Sequence, residues 1–247
     1  MSPGAFSWKR SLILLAAVTA VLLTAMLGRW QWGRATQKEA LMQMRADKAA
    51  LAPVDGATLG QAGDSVANRE GLLYRAVHLK GRWLPQHTVY LENRQMQSRP
   101  GFFVVTPLKI TGSEQVVLVQ RGWVPRSFAE RTALPPVETP QGEVQLQGHL
   151  APWPSRMYDF GGVEAGPIRQ NLDFGAYQLQ TGLHLLEFSV VQSGVASEGL
   201  LREWPQVTSG VEKHHGYAFQ WFGLSALIAL LYVWFQIVQP RRKHLNR

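Results

Sequence analysis

Two long, uncharged apolar runs stand near the ends of the chain, at residues 11–28 and 217–238. As α-helices, runs of this length span about 30 Å, the thickness of the hydrocarbon core of a bilayer. Trp30 follows the first run and Tyr217 opens the second, where aromatic side chains would meet the membrane surface. The pattern predicts two transmembrane helices. A cleaved signal peptide is the alternative for the first run, although no clear A-x-A site follows it.

Between these runs the sequence changes to an alternation of apolar and polar positions that is typical of β-strands. Residues 34–50 are instead rich in strong helix formers, so we expect the first helix to continue, followed by a loop that can contain a short helix. Strands are predicted at residues 74–83, 87–93, 101–110, 115–124, 143–150 and 184–191. The predicted fold is α+β: two terminal transmembrane helices flanking a mainly antiparallel β domain, either a sandwich or a partly closed barrel.

The net charge of +8 arises at the ends of the chain. Residues 30–213 carry 18 Lys or Arg and 17 Asp or Glu, so this long segment has a charge of only +1. A basic surface for nucleic acid is therefore not expected. The remaining cations flank the apolar runs, and the positive-inside rule places both chain ends in the cytoplasm. They are Lys9, Arg10, Arg29, Arg241, Arg242, Lys243 and Arg247.

This topology places the protein in the inner membrane of a bacterium, with its central domain in the periplasm. The predicted parts are a cytoplasmic N-terminus (1–10), a first transmembrane helix (11–28), a periplasmic β-rich domain (29–216), a second transmembrane helix (217–238) and a basic cytoplasmic tail (239–247).

The chain contains no cysteine, which excludes a disulfide, a thiolate metal site, a thiol nucleophile and covalently attached haem. It also lacks P-loop, GxGxxG, HExxH and GxSxG motifs, and its carboxylates form no obvious acid–base pair. We therefore do not expect an enzyme. Four isolated histidines are expected at the surface or in the core rather than as ligands: His78, His87, His149 and His184.

The most distinctive tripeptide of the central domain is Arg121-Gly122-Trp123, within a predicted strand. One interpretation is structural: the glycine lets the backbone bend or another segment approach, beside a buried tryptophan and an extended arginine. The other is a docking surface, because Trp and Arg are frequent at the energetic centres of interfaces.

Two adjacent histidines, His214 and His215, stand where the second apolar run is about to begin. On a helix, His214 shares one face with Tyr217, Ala218 and Trp221. Imidazole is a common ligand of haem iron, and such a face could hold a flat apolar macrocycle with its iron on His214. Helical neighbours point about 100° apart, so the two histidines would not easily share one ion. The alternative is that His214 is only the hydrated end of a membrane helix.

Five motifs, in this order along the chain, resemble the surfeit locus (Surf/Shy) family of cytochrome c oxidase assembly factors. They are LGRWQWGRATQK at 27–38, RPGFFVVTPL at 99–108, VLVQRGWVP at 117–125, IRQNLD at 168–173 and HHGYAFQWFGL at 214–224. Each motif is moderately specific, and together with two terminal apolar helices they cover nearly the whole chain. Lys213 and His215 depart from the residues that the family often has on either side of its histidine.

The resemblance implies a membrane-anchored assembly factor for the haem–copper oxidase, whose bacterial members are linked to haem a. The proposed haem ligand of the family stands three residues before a Tyr-Ala pair, which places that role on His214, with no metal beyond the haem iron. Gly28, Trp30, Gly122 and Trp123 carry over as structural or docking residues.

The resemblance also implies the partners: subunit I of cytochrome c oxidase, to which haem a would pass, the haem a synthesis machinery and the lipid bilayer. The alternative function is a cofactor-free, membrane-anchored scaffold that stabilises an oxidase assembly intermediate.

Overall fold

The computed structural model describes residues 3–62, 66–127, 134–158, 166–205 and 210–245. The chain divides into two compact units, one formed by Met1–Met44 and Val207–Arg247 and the other by Arg45–Gln206. The outermost residues of the two predicted cytoplasmic segments, 1–2 and 246–247, lie outside the described residues.

The first unit contains the two long apolar helices. Helix α1 extends over Pro3–Ala49, and helix α5 over Val211–Val233 continues through a π-helical turn, Trp234–Val238, into α6, Gln239–Leu245. Two stretches, Trp8–Ala49 and Val211–Arg242, are long and apolar enough to cross a membrane. Most of their large apolar side chains are exposed, as expected of helices that face lipid rather than a protein core. The prediction of two terminal apolar helices is confirmed, as is the extension of the first beyond residue 34.

The second unit is a sheet with short helices. Its eight strands are β1 (Val54–Asp55), β2 (Ala76–Trp83), β3 (Val89–Met96), β4 (Arg99–Ile110), β5 (Val116–Pro125), β6 (Glu143–Ala151), β7 (Ile168–Arg169) and β8 (Leu185–Gln192). Its helices are α2 (Gly56–Ala62), α3 (Val66–Leu72), a 3-10 turn (Pro85–His87) and α4 (Phe174–Thr181).

The strands form one mixed sheet in the order β1-β2-β6-β8-β5-β4-β3-β7, with an additional pairing of β2 with β4. Three of the pairings are parallel: β1 with β2, β3 with β7, and β5 with β8. The prediction of a mainly antiparallel domain is therefore only partly correct. The strands belong to a single hydrogen-bonded sheet rather than to the two sheets of a sandwich, and the partly closed barrel stays a prediction.

All six predicted strands are present, with ends shifted by up to three residues. The sequence pattern missed β1, β7 and α4, because a two-residue strand has no period and a two-turn helix has little. Helix α4 nevertheless carries ordinary end signals: Asp173 accepts a hydrogen bond from the Ala176 amide, and Gly182 follows it in the left-handed conformation.

Strand β5 is the centre of the core, and every residue in it except Pro125 is buried. Alternate side chains enter two apolar clusters: Val117 and Val119 pack in one, Val116 and Leu118 in the other. Burial on both faces explains why the first four residues of this strand, 116–119, are all apolar instead of alternating with polar residues.

Candidate functional site

Helices α1 and α5 pair along a seam of small and polar residues. On α1 the partly or fully buried positions include Val21, Thr24, Gly28, Gln31, Ala35 and Lys38, and on α5 they include Val211, His214, Ala218, Trp221 and Ser225. Both sets advance by alternating steps of three and four residues, the spacing that keeps one helix face against another. The contacts run from Val21 with Ser225 to Gln31 with His214, so the helices are antiparallel.

Small side chains let the two helices approach closely at the middle of this seam. A Cβ atom on Gly28 would lie 2.8 Å from the Phe222 ring, and Ala218 is fully buried. The Ser225 hydroxyl donates a hydrogen bond of 3.2 Å to the Val21 carbonyl. Small residues and interhelical hydrogen bonds are the devices by which helices associate within lipid.

His214 lies at the polar end of the seam, in the first turn of α5. Its Nδ1 atom is 2.7 Å from Oε1 of Gln31 on α1. An amide oxygen only accepts hydrogen bonds, so Nδ1 carries the proton and the neutral ring leaves the lone pair on Nε2. Nε2 has no hydrogen-bond partner among the described residues. Orientation of one ring nitrogen by a hydrogen bond, with the other available, is the usual state of a histidine that binds a metal.

His215 has a different environment from its neighbour. Its Nε2 atom donates a hydrogen bond of 2.9 Å to the Glu39 carboxylate, and its ring meets Trp32 edge-on at 5.0 Å between centroids. With Nε2 engaged, His215 acts as a link between the helices rather than as a free ligand.

The other residues predicted to share a helix face with His214 differ in their exposure. Ala218 is covered by α1, whereas the Tyr217 side chain is 51% exposed and Trp221 is half-buried. In this packing, Tyr217 and Trp221 can contact a flat ligand held by His214, but Ala218 cannot. Trp30, by contrast, is exposed on α1.

Arg121 is the extra residue of a β-bulge, because Val104 pairs with Gly122 while Val105 pairs with Gln120. Its fully buried guanidinium lies 2.9 Å from the Glu198 carboxylate and 4.7 Å from the Trp83 ring centroid. It also donates hydrogen bonds to the Thr139 hydroxyl and the Glu138 carbonyl.

The rest of the tripeptide is equally enclosed. A Cβ atom on Gly122 would lie 2.8 Å from the Leu201 carbonyl oxygen, so only glycine lets that segment approach. Trp123 is fully buried and donates a hydrogen bond of 2.9 Å to the Arg94 carbonyl. This geometry favours the structural interpretation of Arg121-Gly122-Trp123 over a docking surface.

Sequence reasoning missed Gln31 and Glu39, the partners of the two histidines. The sequence contains a partial signal for Gln31, because this residue falls in the same run of three- and four-residue steps as Gly28 and Ala35. No group of three or more His, Asp or Glu side chains suited to a metal ion occurs in the described ranges. A single imidazole is therefore the kind of ligand site that this part of the chain offers.

Comparisons with known proteins give matches over most of the chain. A family model described as the SURF1 family matches residues 18–226. A SURF1-like protein of Rickettsia bellii (strain RML369-C) is 24% identical over 88% of this chain and 88% of its own length. A SURF1-like protein of Rickettsia felis (strain ATCC VR-1525 / URRWXCal2) is 27% identical over 91% and 96%. Surfeit locus protein 1 of Arabidopsis thaliana is 29% identical over 51% of this chain and 36% of that protein.

Proposed function

Because this chain belongs to the SURF1 family, we propose that it is a membrane-anchored assembly factor for haem–copper cytochrome c oxidase. In this proposal it binds haem a transiently through His214 and passes it to subunit I at the outer face of the membrane. Haem a is then a cargo and not a resident cofactor, and the protein is not an enzyme.

The observation that carries the proposal is the hydrogen bond between His214 Nδ1 and Gln31. It supports ligation because it holds the imidazole in the tautomer whose Nε2 lone pair is available to iron. Gln31 orients the ring from the neighbouring helix, so a change in helix packing would reorient the ligand. A single imidazole ligand suits a carrier, which must release what it binds.

The proposed topology places both termini in the cytoplasm and the sheet in the periplasm of a bacterium. It is supported by the basic residues near the chain ends, Lys9 and Arg10 before the first apolar run and Arg241, Arg242 and Lys243 after the second. His214 then lies at the outer rim of the bilayer. The partners in this proposal are subunit I and the machinery that synthesises haem a, both of which the protein would contact within the membrane.

The test is the absorption spectrum of the full-length protein, purified in detergent from cells that make haem a. Wild type is expected to show a Soret band, and His214→Ala is expected to lose it. Gln31→Leu removes the acceptor of the Nδ1 proton and is expected to weaken haem binding about tenfold, whereas Gln31→Glu keeps an acceptor and should retain binding.

His215→Ala is the matched control, because it alters the adjacent imidazole and should leave the Soret band in place. Colourless wild-type protein from such cells would contradict the haem proposal. If His214→Ala also left oxidase assembly intact in the host, the cofactor-free scaffold would be the better description of this protein.

A further inference from the structure

A groove of about 440 Å³ runs along one face of α1, lined by Met26, Arg29, Trp30, Gly33, Arg34 and Gln37. Each of these residues has another of them three or four positions away, so they form one stripe along the helix. The centre of the stripe is rotated by roughly 160° around the helix from the centre of the seam that contacts α5, at 100° per residue. It is therefore a different surface from the one that contains Gln31 and His214.

The groove is a cationic site without a counter-charge. Neither Arg29 nor Arg34 has an ion-pair or hydrogen-bond partner among the described residues, and no carboxylate lines the groove. The chain has no acidic residue before Glu39, and the Glu39 carboxylate is engaged by His215. The Arg34 guanidinium lies 5.8 Å from the centroid of the Trp30 ring, which restricts where that cation can go.

The groove changes from apolar to cationic along its length. Met26, 67% exposed, belongs to the apolar run, and Trp30 follows one turn later. Arg29 directly precedes Trp30 and Arg34 lies near its ring, so the two arginines are five residues or about 7.5 Å apart along the axis. Between them Gly33 leaves open space, since a Cβ atom there would meet nothing within 4 Å. A ligand with an anionic oxygen group and an attached hydrocarbon chain matches a groove that is cationic at one end and apolar at the other.

We propose that this groove binds an anionic phospholipid, with its phosphate between Arg29 and Arg34 and an acyl chain along Met26. The inference rests on the proposed insertion of α1 in the membrane and not on haem binding. In the proposed topology these arginines stand on the outer side, where the positive-inside rule disfavours cations. Orientation in the membrane therefore does not account for them, whereas phosphate recognition by guanidinium does.

The experiment measures lipid binding to the full-length protein in a neutral detergent, by native mass spectrometry, with phosphatidylglycerol, phosphatidylcholine and inorganic phosphate as separate probes. Wild type is expected to retain phosphatidylglycerol in preference to phosphatidylcholine. The double variant Arg29→Gln/Arg34→Gln should bind phosphatidylglycerol about 25-fold more weakly, about fivefold for each cation removed. Arg29→Lys/Arg34→Lys keeps both charges and should retain most of the binding.

The control is Lys80→Gln/Arg82→Gln, which removes two exposed cations from the outward face of β2 and should not change lipid binding. Elution volume and far-ultraviolet circular dichroism check that each variant is folded. Equal binding of both lipids by wild type, or unchanged phosphatidylglycerol binding by the double glutamine variant, would overturn the proposal. So would competition by millimolar inorganic phosphate, which would indicate a free-anion site. A loss of the Soret band with lipid binding unchanged would assign the arginines to haem carboxylates instead.

Discussion

Arg121 shows how this protein keeps a charge inside its sheet domain. Its guanidinium is fully buried, and the Glu198 carboxylate that balances it also lies 3.2 Å from Arg202. Removing one partner of a buried pair is costly, because the charge that stays behind has lost both water and counter-ion. Glu198 is thus shared by two arginines, so its substitution removes the counter-charge of both.

We expect Glu198→Ala to lower the free energy of unfolding by about 3 kcal/mol, because it leaves Arg121 buried without a carboxylate. The measurement is chemical unfolding of the full-length protein in detergent. Glu114→Ala is the matched control: its pair with Lys109 is equally short, at 2.9 Å, but exposed, so its loss should lower the free energy of unfolding much less. Equal losses for the two variants would show that burial of Arg121 is not what makes Glu198 important.

At this scale the sequence indicated which residues are unusual but not what they contact. Arg121, Gly122 and Trp123 stood out in the sequence, but the partner of Arg121 is 77 positions away. Likewise His214 was recognisable, whereas its partner Gln31 lies 183 positions away. Local pattern carries no information on such pairs, because their geometry depends on strand order and helix packing.

At the scale of elements, the α1–α5 pair depends on a close approach at Gly28. The pair sets the distance between Gln31 and His214, one turn further along α1. Any side chain at Gly28 must displace the Phe222 ring or separate the helices.

Gly28→Leu is therefore expected to weaken the helix pair by about 1–3 kcal/mol, because the added side chain overpacks the seam. The absence of natural cysteine permits a direct readout, disulfide formation between Val21→Cys and Ser225→Cys, at the positions joined by the 3.2 Å hydrogen bond. Gly28→Leu should slow cross-linking several-fold. Gly223→Leu, next to Phe222 but with open space around its Cβ, should leave the rate unchanged.

The sequence predicted elements well where they are long. Strand β6 alternates cleanly and was found almost to its ends, because one face is buried and the other is exposed. The parallel pairing of β5 with β8 was not foreseen. Strand direction depends on how the chain returns across the sheet, and the long connection from β6 to β8 gives no periodic signal of its path.

For the whole molecule, the proposed topology makes the sheet periplasmic and both chain ends cytoplasmic. Single cysteines in the cysteine-free chain can test it in intact cells. Ser193→Cys, exposed after β8, should react with a membrane-impermeant maleimide before lysis. Arg241→Cys, exposed beyond the second apolar helix, should react only after lysis. The reverse pattern would invert the topology and would place His214 and the α1 groove at the cytoplasmic surface.

The family assignment is also a property of the whole chain, since the matching model spans residues 18–226 and thus both apolar helices and the sheet between them. The two apolar runs alone located the long helices. The five ordered motifs supplied the family. No single motif would have been sufficient to identify the family, because each motif is short and occurs in a common structural setting.

The pairing of β5 with β8 also constrains when, during synthesis of the chain, the sheet can be completed. The centre of the sheet needs a partner that is synthesised about 70 residues after it, since Leu118 pairs with Ser189. Phe222, the residue against which Gly28 packs, is synthesised later still. During synthesis the nascent chain therefore passes through a stage with one long apolar helix, an incomplete sheet and a seam that has no partner helix. A ribosome stalled before Leu185 should therefore present β5 without its parallel neighbour, at a stage when the histidine that would hold the cargo has not yet been translated.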